Sequence, residues 1–180
     1  MPRVSQIPPG SLPEPLRALT ETFTSGGTLF SDQAAVLAHV PSAAQHLMQL
    51  LSELKAQRNV SARYIEMAIV VVSRLNECTY CVDNHKPKLV VEGITAAGVD
   101  RLLDYDDHPE LDAVDKLVVQ YAIAVTEDPL RKVSDKLFGQ LREHLSEAQV
   151  VELTLRIALC GFFNRFNEAL GIDGTDLLPR

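Results

Sequence analysis

The sequence predicts an all-α fold. Apolar residues recur at helical spacing almost to the end of the chain, and no stretch alternates convincingly between apolar and polar residues with period two. Residues typical of helix starts lie between these segments: Pro41 and Pro109 stand where helices should begin, and Ser134 and Ser146 are suitable N-caps. Hydrophobic residues make up 46% of the 180 residues, as in an ordinary globular domain. We therefore expect one helical domain over residues 11–180.

The individual helices follow from this periodicity in chain order. The first ten residues, MPRVSQIPPG, are rich in proline and lack an apolar signal core, so we expect a flexible leader at 1–10 on a cytoplasmic protein. The last helix should stop at Gly171, because glycine is common just after a helix. The predicted helices are Leu12–Phe23, Asp32–Ala38, Ser42–Gln57, Ser61–Asn76, Thr79–Glu92, Ala96–Asp104, Glu110–Thr126, Asp135–His144 and Glu147–Leu170.

Charge and cysteine content narrow the class of function. The formal net charge is −7 and the pI is about 5.2, without a basic stripe, so we expect no nucleic-acid partner. No run approaches the roughly 20 apolar residues of a membrane span, so we expect no membrane partner. The chain has three cysteines. In a cytosolic protein a C-x-x-C pair is more often catalytic or metal-binding than a structural disulfide.

The stretch CTYCVDNH places two cysteines and a histidine on one face of a helix. At ~100° per residue, Cys78, Cys81 and His85 lie at about 0°, 300° and 340° around the axis. Cys78 is expected at or just before the helix start and Cys81 in the first turn, where unpaired N–H groups stabilise a thiolate. A reactive thiol with a second thiol three residues away is the arrangement of a redox-active dithiol, in which one thiol attacks and the other resolves.

Glu66 is the carboxylate of the preceding helix, in the apolar stretch YIEMAIVVV. If the two helices pack antiparallel, Glu66 and His85 each lie roughly 14–15 Å from the turn between them, at a rise of ~1.5 Å per residue. The two side chains should then lie side by side, and the carboxylate could orient the imidazole and accept its proton. The expected chain runs from Glu66 through His85 to Cys81.

The spacing of these four residues resembles a known family. Eleven residues separate Glu66 from Cys78, two separate the cysteines and three separate Cys81 from His85. This pattern is similar to the alkylhydroperoxidase D (AhpD)-like branch of the carboxymuconolactone decarboxylase family. The match is densest over Ser61–Gly93, which includes YCVDNH and the GIT that follows, and is fainter around GFFNRFNEALG; the first fifty residues contribute little. The resemblance implies a helical bundle of the AhpD type.

The same resemblance implies a thiol-dependent peroxidase active in antioxidant defence. Cys81 would be the peroxidatic thiol and Cys78 the resolving thiol, with Glu66 and His85 as a proton relay. The cycle would pass through a sulfenic acid and a Cys78–Cys81 disulfide. The resemblance further implies no bound cofactor, a hydroperoxide substrate, an external dithiol as reductant (a lipoyl-bearing protein in the best-known relatives) and a homo-oligomer, either a trimer or a hexamer.

Two residues depart from the expected pattern. The best-known relatives carry a histidine between the cysteines, where this chain has Tyr80, and a phenol with a pKa of about 10 is a poor base at neutral pH. Tyr80 is therefore expected to pack beside the site, and the relay to be shorter than in those relatives. Pro87 follows His85 by two residues and should kink the helix or begin a new segment.

Other interpretations of these residues compete with the peroxidase. The cysteines and His85 could supply three zinc ligands, with Glu66 as a fourth, in a non-enzymatic domain. A lyase of the carboxymuconolactone decarboxylase kind would not need the cysteines. Glu66 could instead pair with Arg63, three residues earlier on its helix. Cys160 is expected to be a core residue. The remaining histidines are expected at the surface or at helix ends: His39, His46, His108 and His144.

Overall fold

The structure is a computed structural model that describes residues 2–24 and 30–172. These residues form helices and connecting segments, with no strand among them, so the predicted all-α class is confirmed. A 3₁₀ helix at Pro9–Ser11 is followed by ten α-helices within the described residues. In order these are α1 (Glu14–Thr24), α2 (Phe30–Leu37), α3 (Pro41–Gln57), α4 (Ala62–Leu75), α5 (Thr79–Val91), α6 (Ala96–Asp100), α7 (Ala113–Glu127), α8 (Pro129–Lys132), α9 (Asp135–His144) and α10 (Glu147–Leu170).

Helix boundaries depart from the predicted ones where side chains cap the backbone. Helix α7 begins at Ala113 because Asp112 and Asp115 form a capping box, each side chain accepting the backbone N–H of the other. The prediction had started this helix at Glu110. Helix α8 was absent from the prediction; the side chain of Asp128 accepts the Arg131 N–H and so caps one short turn. Helix α6 stops at Asp100, four residues earlier than expected.

The chain forms two compact units. The first comprises Met1–Arg58 together with Asn167–Arg180, and the second comprises Asn59–Phe166. In the first unit, α1, α2 and α3 pack together around buried apolar side chains. The segment predicted as a flexible leader makes specific hydrogen bonds here. Arg3 donates its backbone N–H to the Leu170 carbonyl at 2.8 Å and its guanidinium to that of Ala169 at 2.9 Å. Residues 1, 25–29 and 173–180 of the predicted leader and domain lie outside the described residues.

The second unit is built around α4, which packs against α5 and α7. The apolar run in the middle of α4 leaves it almost no solvent-facing side, as its sequence predicts. Its fully buried apolar residues are Met67, Ala68, Val70, Val71 and Val72. Side chains from α5, α7, α9 and α10 complete the same core. Among the described residues, no helix has the length and apolar character needed to cross a membrane.

One buried ion pair fixes the start of α4. The Arg63 guanidinium donates from Nε and Nη2 to the carboxylate of Asp115 on α7, at 3.0 Å and 2.6 Å. It also donates to the backbone carbonyls of Glu92 at 2.8 Å and Glu110 at 3.2 Å. The hydrogen bond to Asp115 raises the pKa of Arg63 above its ordinary value. Arg63 therefore ties α4 to the end of α5 and to the start of α7.

The structure corrects the expectation for His108. This residue was expected at the surface or a helix end, but it is 2% exposed. Its Nδ1 accepts the Glu110 N–H at 3.2 Å, and its Nε2 lies 2.9 Å from the Gly98 carbonyl. An imidazole that accepts at one nitrogen and donates at the other is neutral and fully satisfied, which allows the ring to be buried. His108 thus holds the loop before α7 against α6.

Replacing Asp115 should destabilise the second unit. We expect Asp115→Ala to lower the free energy of unfolding by about 3 kcal/mol, because the partly buried Arg63 charge loses its buried partner and α7 loses its capping box. Urea denaturation followed by circular dichroism measures this change. Lys132→Ala removes an exposed pair with Glu127 and should cost under about 1 kcal/mol. Equal effects of the two substitutions would contradict a special role for the buried pair.

Candidate active site

A two-residue link places Cys78 at the start of α5. Helix α4 ends in a Schellman motif: the Cys78 N–H donates to the Ser73 carbonyl at 2.9 Å, and the Glu77 N–H to the Arg74 carbonyl at 3.1 Å. Glu77 has the left-handed backbone that this motif requires, with φ of 56°, at a position where glycine is usual. Cys78 closes one helix and is also the N-cap of the next.

The two cysteines are joined as a disulfide at this helix start. Their Cα atoms lie 5.4 Å apart, within the usual span of a disulfide. Cys78 is fully buried, and Cys81, in the first turn of α5, is 7% exposed. The first N–H groups of a helix lack backbone partners and carry the positive end of its dipole. Reduction of this bond would therefore release thiolates in a position that stabilises their charge.

Glu66 and His85 meet across the α4–α5 interface. The Nδ1 atom of His85 lies 2.6 Å from Oε2 of Glu66, the contact that the antiparallel register predicts. Both side chains are mostly buried, at 19% exposed for His85 and 16% for Glu66. A carboxylate accepts the Nδ1 proton and leaves Nε2 as the basic nitrogen of the imidazole. His85 lies one helical turn beyond Cys81, where side chains at i and i+4 are neighbours.

The remaining expectations at the site have clear structural outcomes. Arg63, the alternative partner of Glu66, is engaged with Asp115. Helix α5 runs on through Pro87, so no new segment begins there, and His85 lies on the same continuous helix as Cys81. Tyr80 is 3% exposed. Its backbone carbonyl accepts a hydrogen bond from the side chain of Asn84 at 2.8 Å.

A buried polar cluster behind the cysteines was missed from the sequence. Asn164, on α10, accepts a hydrogen bond from the Asn76 amide at 3.0 Å and donates to Ser73 Oγ at 3.3 Å. The Sγ atom of Cys160 lies 3.4 Å from the same Ser73 hydroxyl and donates to the Ile69 carbonyl at 3.5 Å. The available signal was an asparagine inside GFFNRFN, since an amide on an apolar helix needs buried partners.

Cys160 differs chemically from the other two cysteines. It is buried in the middle of α10, as predicted for a core residue. Burial raises the pKa of its thiol to about 11. In the described ranges, no three histidine, cysteine, aspartate or glutamate side chains are grouped so as to hold a metal ion.

Comparison with known proteins gives a family match in the part of the chain that contains the site. Residues 41–104 match the carboxymuconolactone decarboxylase family. The uncharacterised protein YdfG of Bacillus subtilis is 26% identical over 125 residues, which cover 69% of this chain and 85% of YdfG. The matched residues 41–104 include α4, α5 and all four residues singled out from the sequence.

Solved structures share the fold over most of the chain. An uncharacterised peroxidase-related protein from Ralstonia eutropha, described as an alkylhydroperoxidase AhpD core, aligns with a TM-score of 0.81 and 21% identity over 95% of this chain and 90% of its own. The debrominase Bmp8, as a cysteine-to-alanine variant with 2,3,4-tribromopyrrole, aligns with a TM-score of 0.76 and 18% identity over 93% of this chain and 89% of its own. The protein has the AhpD-like fold, and its residues 41–104 are similar to the carboxymuconolactone decarboxylase family.

The high pKa of Cys160 predicts that the three cysteines label differently. At pH 8 a thiol with a pKa of about 11 is ionised in only about one molecule per thousand, and burial blocks reagents as well. The native protein without reductant should therefore show no reactive thiol. Denaturation should expose one, and denaturation with reductant all three. Mass spectrometry after alkylation counts the labels; rapid labelling of Cys160 in the native protein would contradict this assignment.

Proposed function

We propose that this protein is a thiol-dependent peroxidase that reduces hydroperoxides through the Cys78–Cys81 couple. The observation that carries the proposal is the 2.6 Å contact between Glu66 and His85, one helical turn from Cys81. It supplies an oriented base beside a thiol that stands at a helix start. A nucleophile, a base and a group that orients the base form the general pattern of an activated thiol.

The proposed reaction begins on Cys81. His85 Nε2 takes the thiol proton, and the thiolate attacks the terminal oxygen of a hydroperoxide. A sulfur–oxygen bond forms while the oxygen–oxygen bond breaks, and the departing alkoxide takes the proton back from His85 and leaves as an alcohol. Cys81 is thereby oxidised to a sulfenic acid, and the peroxide is reduced by two electrons.

Cys78 completes the oxidation half of the cycle. Its thiolate attacks the sulfenic sulfur, the disulfide forms, and the hydroxide leaves as water after protonation. The two sulfurs are held close enough for this step, since the structure joins them directly. An external dithiol then reduces the Cys78–Cys81 bond by thiol–disulfide exchange and becomes a disulfide itself.

The identity of the reductant and the assembly are also part of the proposal. A dithiol is the natural reductant because a single molecule can carry both exchange steps, and a lipoyl group on a protein is such a dithiol. A cytoplasmic homo-oligomer, as a trimer or hexamer, fits the family resemblance. Tyr80, buried beside the cysteines, would line the site and leave proton transfer to Glu66 and His85.

Loss of Cys81 should abolish peroxide turnover. We expect Cys81→Ser to lose reduction of an organic hydroperoxide by a dithiol, because the attacking sulfur is gone. Cys78→Ser is the matched variant: it should still consume about one equivalent of peroxide and form a trappable sulfenic acid, but not cycle. Peroxide consumption and mass spectrometry measure both. Unchanged turnover in Cys81→Ser would refute the mechanism, and action on a lactone without either thiol would favour a lyase.

Removing the Glu66 charge should slow the reaction of Cys81. Glu66→Gln keeps the side-chain shape but weakens His85 as a base, so we expect peroxide turnover to fall about 100-fold, within the usual range for a lost base. The pH profile of Cys81 alkylation in reduced protein should also move to higher pH. Glu152→Gln, whose carboxylate pairs with Arg156 on α10, serves as control. Equal profiles in Glu66→Gln and wild type would remove Glu66 from the relay.

A further inference from the structure

Three side chains connect α10 to the turn that carries Cys78. Asn164 receives a hydrogen bond from the Asn76 amide at 3.0 Å and gives one to Ser73 Oγ at 3.3 Å. Asn76 is the C-cap of α4 and directly precedes the strained Glu77, and Ser73 supplies the carbonyl that receives the Cys78 N–H at 2.9 Å. The amide of Asn164 therefore bridges both ends of the turn.

Because the hydrogen bonds of this bridge are buried, they restrict the geometry of the turn. Asn164 and Ser73 have no exposed surface, so neither can exchange its partner for water. A buried polar group without a partner costs about 1–3 kcal/mol, which penalises any arrangement of the turn that breaks these bonds. An asparagine at such a position stabilises the fold little compared with an apolar residue, but it specifies one geometry.

The turn needs such support because of Glu77. A residue other than glycine in the left-handed region costs about 1–2 kcal/mol, and it persists where the surrounding contacts determine the backbone. Helix α4 and Cys78 lie on either side of Glu77. Release of the strain would move Cys78 away from the position in which it faces Cys81.

We propose that Asn164 is a positioning residue for the Cys78–Cys81 couple. By holding the turn, it keeps the two sulfurs at a high effective concentration and so favours the disulfide over the dithiol. The inference rests on the proposed function only in taking the couple as redox-active. It assigns to α10, far from Cys78 in sequence, a part in setting the reduction potential.

The test is the equilibrium between the protein and a small dithiol. We expect Asn164→Ala to lower the equilibrium constant for Cys78–Cys81 disulfide formation about tenfold, or about 30 mV at two electrons. The protein is equilibrated with reduced and oxidised dithiothreitol, quenched in acid and alkylated under denaturing conditions. Mass spectrometry then counts the alkylated thiols. Because the readout counts thiols, it requires no hydroperoxide.

Thr154→Ala is the matched control. Thr154 lies on the same helix and bonds the Tyr121 hydroxyl on α7 at 2.7 Å, ten residues before Asn164. Its loss should destabilise the fold without moving the equilibrium constant. An equal constant in Asn164→Ala and wild type, or equal shifts in both variants, would overturn the proposal.

A second variant tests the same hydrogen bond in case Asn164→Ala does not fold. Asn76→Ala removes the same bond from the less buried partner and should give a shift in the same direction. If the effect runs through that bond, the double variant should shift little more than the larger single one. Independent, additive shifts would overturn the assignment. Absence of peroxide turnover in wild type, with a reversible couple intact, would instead refute the proposed function and leave this inference standing.

Discussion

The register between α4 and α5 is the constraint on which the candidate site depends. The pair is closed at one end by the two-residue link through Glu77. At the other end of the pair, Arg63 forms an ion pair with Asp115 and donates a hydrogen bond to the carbonyl of Glu92, the residue that follows α5. Neither helix can slide by a residue without breaking one of these attachments. Glu66 lies three residues after Arg63 on α4, so the clamp that fixes the helix start also holds its carboxylate opposite His85.

Sequence reasoning found the parts of this arrangement that are local. Apolar periodicity and caps predict α9 and α10 with the bounds they have in the structure, and the equal distances of Glu66 and His85 from the turn predict their contact. It missed interactions whose partners are far apart in the chain, because nothing in a local pattern marks them. Arg63 and Asp115 are 52 residues apart, and Asn76 and Asn164 are 88 apart. The buried His108 shows the same failure, since a histidine in an acidic loop resembles a surface residue until the loop folds back.

Position on the helix, more than exposure, separates the three cysteines. Cys81 and Cys160 are equally exposed, at 7% each. Cys81 lies in the first turn of α5, at the positive end of the helix dipole and one helical turn before the imidazole of His85. Cys160 lies in the interior of α10, where the backbone is already paired, and its thiol faces Ser73 and the Ile69 carbonyl. Burial raises the pKa of this thiol and so favours its protonated form. The two sulfurs therefore lie in different environments within one fold.

The fold alone does not determine the substrate. Structures that share it include a peroxidase-related protein and a debrominase, both at 21% identity or less. The chemistry must therefore be inferred from the groups that this chain presents. In the proposed mechanism the proton of Cys81 passes to His85 and its partner Glu66, since a phenol is a poor base at neutral pH and Tyr80 is buried. A relay with one base suits a reaction in which the proton taken from the nucleophile returns to the leaving group. Reduction of a hydroperoxide meets this condition, since the alkoxide accepts the proton that the thiol gave up.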